Sequence, residues 1–144
     1  MDPAPTVPGG PLHCLVVDDD QLTRSLMSRT LTRLGHNVMT AIDGRAALEV
    51  LLRSFGDGPP IDVVFLDNQM PSLSGPEAVK AIRALPWDVY VVGCTGNALE
   101  EDQNEYLGAG ADAIITKPVS LTAINEQLEA ARERSEARNA CAIW

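Results

Sequence analysis

The sequence predicts an α/β fold, a doubly wound five-stranded parallel sheet with helices on both faces. Three observations lead there. Short apolar, β-branched runs alternate five times with amphipathic stretches, the pattern of parallel strands joined by crossover helices. The central runs, Val63 to Leu66 and Val89 to Val92, are apolar throughout, as in strands covered on both sides. Finally, 144 residues are the length of one domain, able to bury roughly 70% of its unfolded surface around a single core.

The elements follow in order. Residues 1–11 carry Pro3, Pro5, Pro8 and Pro11 with Gly9-Gly10, so they read as a disordered or extended tail or linker. Leu12 to Val17 reads as the first strand. Asp20 then caps a helix bearing Leu22, Leu26, Leu31 and Leu34, which Gly35 stops. Asn37 to Ile42 is the second strand, and Asp43 caps a helix with Ala46, Ala47, Val50 and Leu51, broken by Gly56 to Pro60. Ile61 to Leu66 is the third strand, ending at Asp67 and followed by an irregular loop through Pro71 and Gly75. Pro76 suits the first turn of the third helix, which ends near Leu85-Pro86. Val89 to Val92 leads to Cys94-Thr95, and Asn97 with Glu100 resembles a capping box for the fourth helix. Ala113 to Thr116 is the fifth strand. The last helix, with Leu121, Ile124, Leu128 and Ala131 on one face, is expected to end at about Ser135. The organisation is therefore a tail over 1–11, one domain over 12–135 and a second tail over 136–144.

Composition narrows the function. Eleven basic against twenty acidic residues give a net charge of -9, which disfavours nucleic acid and anionic membrane surfaces, since both carry phosphate charge. No apolar run approaches the ~20 residues of a membrane span, and the opening Met1-Asp2-Pro3-Ala4-Pro5 does not have a signal peptide's pattern. Cys14, Cys94 and Cys141 are too scattered for a disulfide framework or zinc site, so a reduced, cytoplasmic setting is the expectation.

Parallel sheets bind ligands at the carboxyl ends of their strands. Just past those ends lie Asp18, Asp19 and Asp20, then Asp67, Thr95 and Lys117. Taken singly, each has a plain reading: a solvated cap, a turn, a capping hydroxyl. Asp20 and Asp43 are read as caps. Carboxylates crowded together repel by about 4 kcal/mol per pair at 4 Å and moderate dielectric. They call for a cation, and oxygen ligands without His or Cys suit Mg²⁺. With a lysine and a hydroxyl added, the set describes a site for a phosphoryl group, one carboxylate serving as nucleophile.

Leu15-Val16-Val17-Asp18-Asp19-Asp20, Asp62 to Pro71 with Gly75, Val91 to Gly96 and Gly110 to Pro118 together give the chain its resemblance. It resembles the receiver domain of two-component response regulators, and equally the receiver module of hybrid histidine kinases, over roughly residues 12–135. The resemblance implies a flavodoxin-like (βα)5 fold with strand order 2-1-3-4-5. It implies Asp67 as phosphoacceptor, charged by a histidine kinase or histidine phosphotransfer protein, in a module that catalyses only its own phosphorylation and dephosphorylation. Asp19, Asp67 and the Gln69 carbonyl would bind Mg²⁺, with Asp18 acting through a metal-bound water. Thr95 would hydrogen-bond the phosphoryl group and Lys117 would pair with it. Gln69 and Asn97 would tune the lifetime of the acyl phosphate. Ile114 stands where the family often has an inward-turning Tyr or Phe, so a smaller repacking of the fourth helix and fifth strand is expected. Partner surfaces would involve the first helix, or the last two helices with the fifth strand.

Other readings fit the residues less well. A haloacid-dehalogenase-type phosphotransferase wants a second Asp where Gln69 stands. A flavin binder would need a Ser/Thr/Gly-rich loop where three carboxylates follow the first strand. A receiver fold without phosphorylation conflicts with the full acidic set. Cys141-Ala142-Ile143-Trp144 has the outline of a prenylation box, but the unusual final Trp and the Arg/Glu mixture before it make it an accidental tail.

Overall fold

Five short strands alternate strictly with five helices in a computed structural model of the chain, which describes residues 7, 9–68, 70, 73–96 and 100–142, with backbone alone at 100, 102 and 139–142. The strands are β1 (His13–Val17), β2 (Asn37–Ala41), β3 (Val63–Asp67), β4 (Tyr90–Thr95) and β5 (Ala113–Thr116). The helices are α1 (Gln21–Arg33), α2 (Gly44–Asp57), α3 (Gly75–Arg83), α4 (Glu100–Ala109) and α5 (Leu121–Ala142). All strand pairs are parallel and the sheet order is β2-β1-β3-β4-β5. β3 and β4, two of the three inner strands, are buried at every position, which explains their unbroken apolar runs.

Alternation along the strands splits the core into two layers. Leu15, Val17, Val64, Leu66 and Val91 face α2, α3 and α4, meeting Leu51, Ile82 and Tyr106. Cys14, Val16, Phe65, Val92 and Cys94 face the other way, toward Leu31 of α1 and Ile124 and Leu128 of α5. Because every strand pair is parallel, the carboxyl ends of all five strands lie along the same edge of the sheet.

Helix starts follow the sequence signals. Asp20, Asp43 and Ser74 are N-caps whose side chains accept from the backbone N–H three residues on, and Pro76 lies in the first turn of α3. Gly35 and Gly110, at φ +96° and +116°, end α1 and α4 in the left-handed region that glycine adopts without strain. The fourth-helix cap read at Asn97 lies outside the described residues.

Four details differ from expectation. Leu22 and Leu26 are 68% and 53% exposed while Leu31 is 0% exposed, so of the leucines named for this helix only those on the Leu31 side face the core. Leu121, in the first turn of α5, is 54% exposed and does not share the buried face of Ile124, Leu128 and Ala131. β3 starts at Val63, because Asp62 leaves the apolar run to accept from the backbone N–H of His13 at 2.8 Å. Finally, α5 continues past Ser135 to Ala142. Arg134 pairs with Asp88 and Asp112, Arg138 pairs with Asp62, and these contacts hold the added turns against the amino-terminal edge of the sheet. At that edge the Arg132 guanidinium also donates to the Gly10 carbonyl at 2.6 Å, fixing the end of the Pro/Gly segment.

Candidate functional site

Sheet register brings the predicted residues to one place. Val17 pairs with Leu66, so Asp18 emerges from β1 level with Asp67 at the end of β3. Asp67 pairs with Cys94 and Thr95 pairs with Thr116, which sets Thr95 and Lys117 one step beyond on the neighbouring strands. The backbone N–H of Lys117 donates to the Thr95 carbonyl at 2.7 Å, extending the ladder past β5. The four strand ends enclose an open cleft of about 630 Å³ lined by Asp18, Asp19, Asp67, Thr95 and Lys117.

Inside it, Lys117 Nζ donates to Asp67 Oδ1 at 2.8 Å and to Asp18 Oδ2 at 3.1 Å. The other oxygen of Asp18 accepts from the Asp20 N–H at 2.9 Å, which fixes that carboxylate in the turn. Asp18, Asp67 and Thr95 are buried, whereas Asp19 is open to solvent. Burial lifts the Asp67 carboxyl above its ordinary 3.8, with the Asp18 charge adding to the rise and the Lys117 hydrogen bond and charge opposing it. Burial alone would lower Lys117, but its hydrogen bonds and ion pairs with Asp67 and Asp18 hold it above its ordinary value. The lysine is charged, and it neutralises one of the three carboxylates around it.

Asp18, Asp19 and Asp67 each offer an oxygen, and these oxygens lie within 4.8 Å of one another. An all-oxygen set, partly open to water and carrying more negative charge than one lysine offsets, fits a hard divalent cation such as Mg²⁺. A buried carboxylate beside a cation site, a lysine and a threonine has the parts needed to take up and stabilise a phosphoryl group.

Five of the residues singled out in the sequence thus meet: Asp18, Asp19, Asp67, Thr95 and Lys117. Asp20 also lines the cleft, but its carboxylate is engaged as the α1 cap with Thr23. Ile114 lies on β5 outside the cleft, half-buried against the α2–α3–α4 layer and paired with Gly93. Gln69 and Asn97 lie outside the described residues. Two side chains absent from the sequence reading reach the site's backbone. Arg24 of α1 donates to the Asp18 carbonyl at 2.8 Å, and Tyr106 of α4 donates to the Leu66 carbonyl at 3.0 Å. Both bond to main-chain carbonyls, which carry no signature in a sequence. The one available signal for Tyr106 was an aromatic residue directly after the six polar residues that open α4.

Comparison with known proteins gives a consistent result. Residues 14–129 match the model of the response regulator receiver domain. The chain is 39% identical over 120 residues to the sensor histidine kinase RcsC of Salmonella typhi, covering 83% of this chain but only 12% of that kinase. It is 31% identical to the two-component response regulator ORR42 of Oryza sativa subsp. japonica, covering 92% of this chain and 96% of that protein. Among solved structures, a receiver domain protein from Clostridium thermocellum superposes with a TM-score of 0.80 at 25% identity, covering 88% of this chain and 98% of the other. A CheX–CheY–BeF3–Mg complex from Borrelia burgdorferi superposes with a TM-score of 0.76 at 27% identity, over 85% of this chain and 90% of the other. Fold, strand-end chemistry and sequence agree, and the chain belongs to the response regulator receiver domains of two-component signalling.

Proposed function

We propose that Asp67 is the phosphoacceptor of this receiver, taking its phosphoryl group from a phosphohistidine on a histidine kinase or histidine phosphotransfer protein. The observation that carries the reading is the position of the Asp67 carboxylate, buried, 2.8 Å from Lys117 and within ligand distance of Asp18 and Asp19. In the transfer an Asp67 carboxylate oxygen attacks phosphorus, the O–P bond forms as the P–N bond breaks, and the imidazole leaves with its electron pair. Hydrolysis of the resulting acyl phosphate returns the carboxylate and inorganic phosphate. Such transfers ask a protein mainly for positioning and charge neutralisation.

Each residue then has a role. Lys117, already paired with Asp67, follows the charge onto the phosphoryl oxygens. Thr95 supplies a hydroxyl to one of them. Asp19, Asp67 and the Gln69 carbonyl would hold Mg²⁺, with Asp18 acting through a metal-bound water, and the ion would supply positive charge to offset the phosphoryl oxygens. Gln69 and Asn97 set the acyl phosphate lifetime, and Ile114 permits a smaller repacking than an aromatic side chain would. By this reading the module catalyses only its own phosphorylation and dephosphorylation. It acts in the cytoplasm on a protein partner, not on nucleic acid or a membrane. The receiver unit spans 12–135, with 1–11 and 136–144 flanking it. Relatives include both large sensor kinases and a protein of nearly this length, so either setting suits the chain.

Intact mass after incubation with Mg²⁺ and a phosphohistidine donor tests the proposal. The expected result is one added phosphoryl group, abolished by EDTA and by Asp67→Asn. Labelling that survives Asp67→Asn, or none from several competent donors, would overturn it.

A further inference from the structure

Helix α4 is poorly equipped to hold itself to the sheet. Its sequence is Glu-Glu-Asp-Gln-Asn-Glu-Tyr-Leu-Gly-Ala, and among its described side chains only Tyr106 and Ala109 are buried, while Leu107 is half exposed. Tyr106 is the large anchor, and it is fully buried. Its ring lies on Gly93 of β4, where an added Cβ would stand 2.8 to 3.0 Å from three ring carbons. Gly93 is two residues before Thr95 and pairs with Ile114 of β5. An aromatic ring thus reaches the neighbourhood of Ile114 from α4.

The hydroxyl end of Tyr106 reaches β3. It donates to the Leu66 carbonyl at 3.0 Å, the carbonyl of the peptide group whose N–H belongs to Asp67. Gly75, at the start of α3, is packed into the same corner: a Cβ there would run into the phenol and come within 2.9 Å of the Asp67 carbonyl oxygen. Burial pushes the phenol's pKa up, so the group remains an O–H donor. A Phe would occupy this space without a polar atom to satisfy, so filling the core does not explain the hydroxyl.

We propose that Tyr106 is the positioning residue coupling the backbone at Asp67 to helix α4. The hydroxyl holds the peptide group ahead of the acceptor. The ring, seated on β4, makes α4 follow displacement of the β3 and β4 ends when Asp67 is modified. The proposal rests on Asp67 being the phosphoacceptor and deepens that reading by naming the route from the acyl phosphate to α4.

The test compares the full chain with Tyr106→Phe and Gly93→Ala by hydrogen exchange over residues 100–109, before and after phosphorylation, with intact mass read on the same samples. The wild type is expected to take up the phosphoryl group and change exchange in α4. Tyr106→Phe is expected to take it up as well, with the α4 response reduced about threefold or more. An α4 response equal to wild type in Tyr106→Phe, or none in the phosphorylated wild type, would overturn the proposal. Should Tyr106→Phe fail to fold, Gly93→Ala, which displaces the ring but keeps the hydroxyl, is expected to lose the response, and a full response there would overturn it. A wild type that takes up no phosphoryl mass refutes the acceptor reading itself, and the proposal with it.

Discussion

At Asp67 burial outweighs a salt bridge. The carboxyl is raised above 3.8 although Lys117 lies 2.8 Å away, so the metal-free folded protein holds that proton more tightly than the unfolded chain does. Stability therefore falls as pH rises from 3.8 to the raised value, and the full cost applies above it. In EDTA, Asp67→Asn should melt higher than wild type at pH 7. Thermal melts across pH should show the gap narrowing toward acid, and a variant that melts lower at pH 7 would contradict the electrostatics. At this scale the sequence was legible where a residue's partners are other charged side chains. Asp18, Asp67 and Lys117 could be read because like charges at strand ends demand a counterion. Arg24 and Tyr106 could not, because their partners are main-chain carbonyls, that of Asp18 just before α1 and that of Leu66 on β3.

Among the elements, order and type were readable from apolar alternation, while facial phase and length were not. Helix α1 shows why. Leu22 and Leu31 are nine residues apart, and at roughly 100° per residue they point to opposite sides of a helix. Leucine spacing alone left both candidate faces open, and packing against Val16 and Phe65 selected the Leu31 side. Leu31→Ala should accordingly cost about 3 kcal/mol or more, whereas Leu22→Ala should stay within roughly 0.5 kcal/mol. Urea titrations of the two variants separate these outcomes, and equal costs would contradict the assigned face. The length of α5 was hidden for a related reason. Its last turns are held by Arg134 and Arg138 reaching Asp88, Asp112 and Asp62, contacts made 22 to 76 residues away in sequence.

For the whole molecule, the fold class and strand order followed from alternation and resemblance, because a parallel sheet permits few arrangements of five βα units. The fold also concentrates charge. A chain of net charge -9 gathers three of its carboxylates at one strand edge beside one lysine. A ligand that binds only the folded state stabilises it by about 2.7 kcal/mol at a hundred times its Kd. Saturating Mg²⁺ should therefore raise the melting temperature of the wild type by several degrees, and Asp19→Asn should lose most of that shift. An equal shift in the variant would mean that the ion binds elsewhere.

The most direct test of the central claim locates the phosphoryl group. Borohydride reduces an acyl phosphate on aspartate to homoserine, and peptide mapping after phosphorylation from a phosphohistidine donor reads the position. The account predicts homoserine at residue 67 alone. Homoserine at Asp18, Asp19 or any other carboxylate, or phosphate retained on a different side chain, would contradict it.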